Sequence, residues 1–150
     1  YKFNKKVKIM KKILLSLALI MFASNLYAAD LSIDMLNKRD DGKRMVYSVE
    51  VAKIDKGQTI KWVAKDKGHN VEMITGPDGA TLPKKSKLSK DVSITFDTAG
   101  IYLYKCTPHV GMGMIGIVVV GGDTSNKDAI AKAKLSGKSK KKRDKFLSEI

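Results

Sequence analysis

A single cysteine, Cys106, excludes any internal disulfide and with it the small folds that depend on disulfide staples. No apolar stretch reaches membrane length. The one extended run, Ile13 to Phe22, is ten residues, whereas a spanning helix needs about 20. Histidine is nearly as scarce, with His69 and His109 alone. There is no internal repeat, no long linker, and almost no helical patterning before the last 25 or so residues. What remains is an ordinary soluble composition, 43% hydrophobic over 150 residues, enough for one domain with a modest core.

The first residues read differently from the rest. Lys2, Lys5, Lys6, Lys8, Lys11 and Lys12 precede the apolar run, which passes into small and polar residues ending Tyr27-Ala28-Ala29-Asp30. That order is a secretory signal peptide over 1–28, with Met10 as a plausible start and cleavage after Ala28 or Ala29. It leaves a single domain over 29–150 and no stable membrane insertion. Removing six lysines and no acids leaves 23 basic residues against 15 acidic ones. Most of this excess sits at the end: Lys127 to Lys145 holds nine basic and two acidic residues, while Asp30 to Asn126 holds fourteen and twelve. In an exported chain the tract Lys140-Lys141-Lys142-Arg143 meets no nucleic acid, and it reads as a solvated helix face. Export also makes an unpaired thiol a liability, so Cys106 needs a ligand or burial.

From Leu31 onward, short β-rich runs alternate with turns at the spacing of an all-β sandwich. Strands are predicted near Leu31–Leu36, Met45–Lys53, Thr59–Lys65, His69–Ile74, Val92–Phe96, Ile101–Cys106 and Met114–Val120. The turns are Asp40-Asp41-Gly42, Asp55-Lys56-Gly57, Gly76-Pro77-Asp78-Gly79 and Asp97-Thr98-Ala99-Gly100. Alternation puts Tyr102, Tyr104 and Cys106 on one face and Ile101, Leu103 and Lys105 on the other. After Gly121-Gly122, Ser125 to Asp128 resembles a capped helix start, Gly137 should end that helix, and a second begins around Ser139 with Phe146, Leu147 and Ile150 as its apolar edge.

Chemistry concentrates in Cys106-Thr107-Pro108-His109-Val110-Gly111-Met112-Gly113-Met114, together with His69. Taken singly, these residues have bland readings: a surface histidine, a buried small cysteine, methionines as core filler. Taken together, every scarce ligand type converges on one site. A thiolate, two imidazoles and a weak axial thioether are the donor set of a one-electron copper site. Soft sulfur favours Cu(I), imidazole tolerates Cu(II), and fixed ligands keep rearrangement small. A structural zinc site would use more cysteine or histidine and no methionine. A nucleophile–base pair fits the tight two-residue, proline-containing spacing less well than convergence on a metal. Four protein ligands leave no open position for a substrate, so no enzymatic activity is expected.

Met35-Leu36-Asn37-Lys38, Asp66-Lys67-Gly68-His69-Asn70-Val71-Glu72, and Lys105-Cys106-Thr107-Pro108-His109 through Gly113-Met114-Ile115 closely resemble pseudoazurins, members of the cupredoxin class. The likeness runs from about Asp30 to Ile150. The Cys-x2-His-x4-Met loop is shared with plastocyanins; the Lys-Gly-His-Asn-Val-Glu string and the C-terminal helices point to the narrower group. The resemblance implies a cupredoxin-like Greek-key β-sandwich with two C-terminal α-helices and one type 1 copper ion near one end. It implies that the Asn70 backbone amide donates to the cysteine sulfur and that Met45 packs near a histidine ligand. It also implies an electron port at His109, Pro108 and Met112, ringed by Lys38, Lys67 and Lys105, with Lys84, Lys85 and Lys87 in a loop able to join them. Val110-Gly111 after His109 departs from other members. The implied role is a monomeric periplasmic carrier serving an acidic partner, chiefly the copper nitrite reductase of denitrification, with cytochromes as donors. A copper storage or delivery protein is the alternative.

Overall fold

The computed structural model describes residues 29–150. The signal peptide expected over 1–28 therefore lies outside the described residues. Eight strands form two sheets: β1 (Leu31–Lys38), β2 (Arg44–Tyr47), β3 (Val51–Ile54), β4 (Thr59–Val63), β5 (Glu72–Thr75), β6 (Val92–Thr95), β7 (Gly100–Lys105) and β8 (Ile115–Val120). A 3-10 helix, Thr107–Met112, joins β7 to β8, and α1 (Lys127–Ala131) and α2 (Gly137–Ser148) close the chain. One sheet runs β2-β1-β4-β6, the other β3-β8-β7-β5. The pairs β1–β4 and β3–β8 are parallel, and the remaining pairs are antiparallel. No helix among the described residues is long and apolar enough to cross a membrane.

The alternation expected in Ile101–Cys106 decides where the core lies. Tyr102, Tyr104 and Cys106 face the interior between the sheets with Ile33, Met35, Tyr47, Ile60, Trp62, Met114 and Val118. Tyr104 is the centre of that layer, edge-on to Tyr47 at 4.9 Å and to Trp62 at 5.2 Å between ring centroids. Gly116 on the neighbouring strand leaves room for it, since a Cβ there would overlap the tyrosine ring and hydroxyl. Ile101 and Leu103 face the other way and join Ile115, Ile117 and Val119 beneath Ile130, Phe146 and Leu147 of the two helices. Both faces of β8 are thus covered, and so its sequence is an almost unbroken apolar run, Ile-Gly-Ile-Val-Val-Val, all buried.

Four boundaries differ from expectation. The segment predicted as one strand, Met45–Lys53, is two strands in different sheets, and the chain crosses between them at Ser48-Val49-Glu50. His69 does not begin a strand; it sits in the loop ahead of β5. Ser125 does not cap α1, because the N-cap is Asn126, whose side chain instead holds both the amide and the carbonyl of Ile101, at 2.9 and 2.8 Å. Gly137 likewise starts α2 rather than ending α1, which stops after a turn and a half while Ala133 and Leu135, beyond its end, pack on the same apolar cluster.

Candidate metal centre

The loop after β7 shapes the site. A 3-10 turn stacks residues i and i+3 on one side, and the turn opened by Cys106 closes with the His109 amide on the Cys106 carbonyl at 3.2 Å. Cysteine and histidine therefore point the same way. Gly113 ends the turn at φ +91°, a conformation that a side chain disfavours, and reverses the chain into β8. Closure comes from the Cys106 amide on the Met114 carbonyl at 2.9 Å and the Met114 amide on the His109 carbonyl at 3.2 Å. This brings Met114, fully buried, back beside Cys106.

His69 arrives from the opposite side and is also fully buried. Its ring is aimed by a relay: Asp66 accepts the Asn37 amide at 2.6 Å, and Asn37 Oδ1 lies 2.9 Å from His69 Nε2. An amide oxygen only accepts, so Nε2 carries the proton and Nδ1 presents a lone pair. The backbone of His69 is pinned by the Ser89 amide on its carbonyl at 2.9 Å.

The donor atoms of His69, Cys106 and His109 lie within 4.8 Å of one another. His69 Nδ1 is 3.1 Å from His109 Nδ1 and 3.7 Å from Cys106 Sγ, and His109 Nδ1 is 3.4 Å from the same sulfur. Imidazole and thiolate bonds of about 2.0–2.3 Å arranged in a trigonal plane would set such donors roughly 3.5–3.7 Å apart. The triangle therefore fits a metal ion with adjustments of a few tenths of an ångström. Burial pushes the Cys106 thiol up, opposed by the backbone amides of Asn70 and His109, so a cation would displace a proton on binding. Burial, then His109, pushes His69 down and keeps it a neutral donor.

The remaining expected residues surround this cluster. Asn70 turns its backbone amide to the sulfur, while its side chain receives the Thr107 amide at 2.8 Å and donates to the Thr107 hydroxyl at 3.0 Å. Thr107 in turn donates to Glu72 at 2.6 Å. Met45, at φ +48°, packs on the core layer that holds Cys106 and Met114. His109 is half-buried between exposed Pro108 and Met112, the latter 49% accessible. Lys38 and Lys67 are exposed, as are Lys84, Lys85 and Lys87; Lys105 is half-buried and offset by Glu72 at 3.7 Å. Asn37, Asp66, Thr107 and Glu72 had no role in the sequence reading. All four fall inside the strings that carry the family resemblance.

Comparison with known proteins gives a consistent answer. Residues 33–121 match the copper binding proteins of the plastocyanin/azurin family. A pseudoazurin of Paracoccus pantotrophus is 38% identical over 89% of this chain and 92% of its own. The structure of a pseudoazurin from Sinorhizobium is 41% identical with a TM-score of 0.74, covering 79% of this chain and 94% of that one. The pseudoazurin of Methylobacterium extorquens AM1 superposes with a TM-score of 0.73 at 35% identity, over 79% of this chain and 97% of that one. Fold, donor set and these likenesses agree: the chain belongs to the pseudoazurins, copper-binding cupredoxins that carry electrons.

Proposed function

We propose that His69, Cys106, His109 and Met114 hold one type 1 copper ion and that the protein carries single electrons in the periplasm to a copper nitrite reductase. When bound, copper supplies a Cu(II)/Cu(I) couple between two sulfur and two nitrogen donors. The protein's part is to keep those donors still. Asn37 fixes one imidazole, the Asn70–Thr107 link fixes the cysteine, and the two amides aimed at the sulfur stabilise its negative charge. Buried His69, Cys106 and Met114 keep water away. His109 alone reaches from the donor cluster to the surface, so it is the short covalent route outward.

The observation that carries this reading is the triangle of His69, Cys106 and His109 donors behind a half-exposed imidazole. Pro108, Gly111 and Met112 give the exit a small, uncharged rim. That suits brief contacts at the small end of the interface range. Exposed Lys38 and Lys67 beyond the rim supply the field that attracts an acidic reductase. Stopped-flow mixing of the reduced, copper-loaded protein with copper nitrite reductase tests the role. Fast reoxidation that slows with added salt is expected. No electron transfer, with release of copper to an apoprotein instead, would replace the carrier by a delivery protein.

A further inference from the structure

The basic tract of α2 does not behave as one solvated face. Lys140, Lys141 and Lys145 are exposed, but Arg143 is only 3% accessible and donates to the Ala133 carbonyl at 2.7 Å. Lys142 turns inward as well. Its ammonium donates to the Gly113 carbonyl at 2.8 Å and pairs with Glu50, whose side chain is 10% accessible and also meets Arg39 at 3.3 Å. One turn earlier, Ser139, 1% accessible, donates to the Val110 carbonyl. A Cβ at Gly113 would lie 3.5 Å from that of Lys138, so the first turn of α2 rests directly on the loop.

Both acceptors lie at the end of the 3-10 helix between His109 and Met114, at the negative end of its dipole, and each already takes one backbone amide, that of Gly113 on Val110 and that of Ile115 on Gly113, both at 3.0 Å. A hydroxyl and an ammonium from α2 fill the second acceptor position of each and tie the turn to the helix. Phe146 and Leu147 anchor the helix on the apolar face of β8, so the loop is fastened to a fixed element.

We propose that α2 braces the metal loop: Ser139 and Lys142 are positioning residues that hold the Val110 and Gly113 carbonyls and so set the place of Met114 relative to Cys106 and His109. This rests on the copper assignment above. An axial thioether is the weakest and most adjustable donor of such a site, and its backbone begins one residue beyond the carbonyl that Lys142 grips. Loosening the brace shifts the thioether while the other three donors stay.

The test uses the full chain loaded with copper(II), comparing Ser139→Ala, Lys142→Met and Lys142→Arg, with Lys140→Met and Lys141→Met on the exposed face and Leu147→Ala in the anchor. Copper affinity is read by competition with a chelator, site geometry by the ratio of the visible thiolate bands and the rhombicity of the paramagnetic resonance spectrum, and apoprotein stability by urea. Ser139→Ala and Lys142→Met should each weaken copper by about tenfold or more and alter both spectra, Lys142→Arg should restore them, and the exposed-face variants should match the wild type. Wild-type spectra and affinity in both Ser139→Ala and Lys142→Met would overturn the brace. So would spectra from Leu147→Ala altered in the same way at equal loss of apoprotein stability. If one of the two substitutions unfolds the protein, the other decides. A wild type that fails to bind copper would instead sink the copper assignment.

Discussion

At the residue scale the site depends on side chains whose roles differ from those of the same residues elsewhere. Cys106 is fully buried and has no disulfide partner. Replacing it with serine should abolish the intense visible absorption of the oxidised protein, which needs a copper–thiolate bond; an absorption spectrum checks this, and retained colour would remove Cys106 from the donor set. Asn37 acts one step further out, through the 2.9 Å contact to His69 Nε2. Asn37→Ala should weaken copper roughly 10–100-fold, the usual effect of deleting an outer partner of a metal-bound imidazole, as measured by chelator competition. Glu72 gives a pH signature. The Thr107 hydroxyl, then Lys105 and Lys85, hold its carboxyl below its ordinary range against the opposing effect of burial. The folded protein therefore binds that proton more weakly than the unfolded chain. The resulting stability is complete above the unfolded value of about 4.3 and is lost as pH falls through the lowered folded value. In urea unfolding at pH 7 and near pH 3, the gap between wild type and Glu72→Gln should narrow on acidification. A gap that stays constant would show that the carboxylate contributes nothing through its charge.

At the element scale, α2 is what turns a two-layer sandwich into a three-layer domain, since it covers Ile101, Leu103, Ile115, Ile117 and Val119. Phe146, 5% accessible, is its largest anchor. Phe146→Ala should cost about 3–5 kcal/mol of stability in urea unfolding; a cost below about 1 kcal/mol would mean that the helix rides loosely on β8. The strands that combine alternation with an adjoining turn were legible in the sequence: Thr59–Lys65, Val92–Phe96 and Ile101–Cys106 all appear close to their expected bounds, and the two faces of β7 are as read. Met45–Lys53 misled because its alternation continues through the crossover, and nothing local marks the point where the chain leaves one sheet for the other. There the Asp34 amide bonds to the Ser48 hydroxyl at 2.8 Å, a contact across 14 residues that no short window contains. Gly137 misled for a related reason. A glycine at positive φ suits either end of a helix, and here it follows the extended N-cap Ser136. Cys106, His69 and His109 were legible through their scarcity, and Met114, one of seven methionines, through its place five residues after His109. Asn37, Thr107, Ser139 and Lys142 were not, because polar residues are common and only the fold brings Asn37, Ser139 and Lys142 to the site and gives Thr107 its partners Asn70 and Glu72.

At the scale of the whole molecule, the candidate centre sits where the loop after β7, the loop before β5 and the start of α2 meet, so that His109 opens onto one end of the sandwich. Lys38, next to Asn37, and Lys67, two residues before His69, are exposed, whereas Lys105 pairs with Glu72. Changing Lys38 and Lys67 together to glutamine should slow association with an acidic reductase and flatten its dependence on ionic strength, whereas Lys105→Gln should do less; stopped-flow rates from low to physiological salt check both. Residues 127–150 hold +6 of the chain's net +14, against +2 for residues 30–126, which places a second basic region along α2 next to the metal loop. The central claim is that one copper ion is held by a thiolate, two imidazoles and a thioether, and the most direct measurement is the paired visible and electron-paramagnetic-resonance spectrum of the oxidised, copper-loaded protein. The account predicts an intense thiolate-to-copper band near the middle of the visible range and an unusually small copper hyperfine splitting. A pale solution with the wide splitting of ordinary tetragonal copper would contradict it.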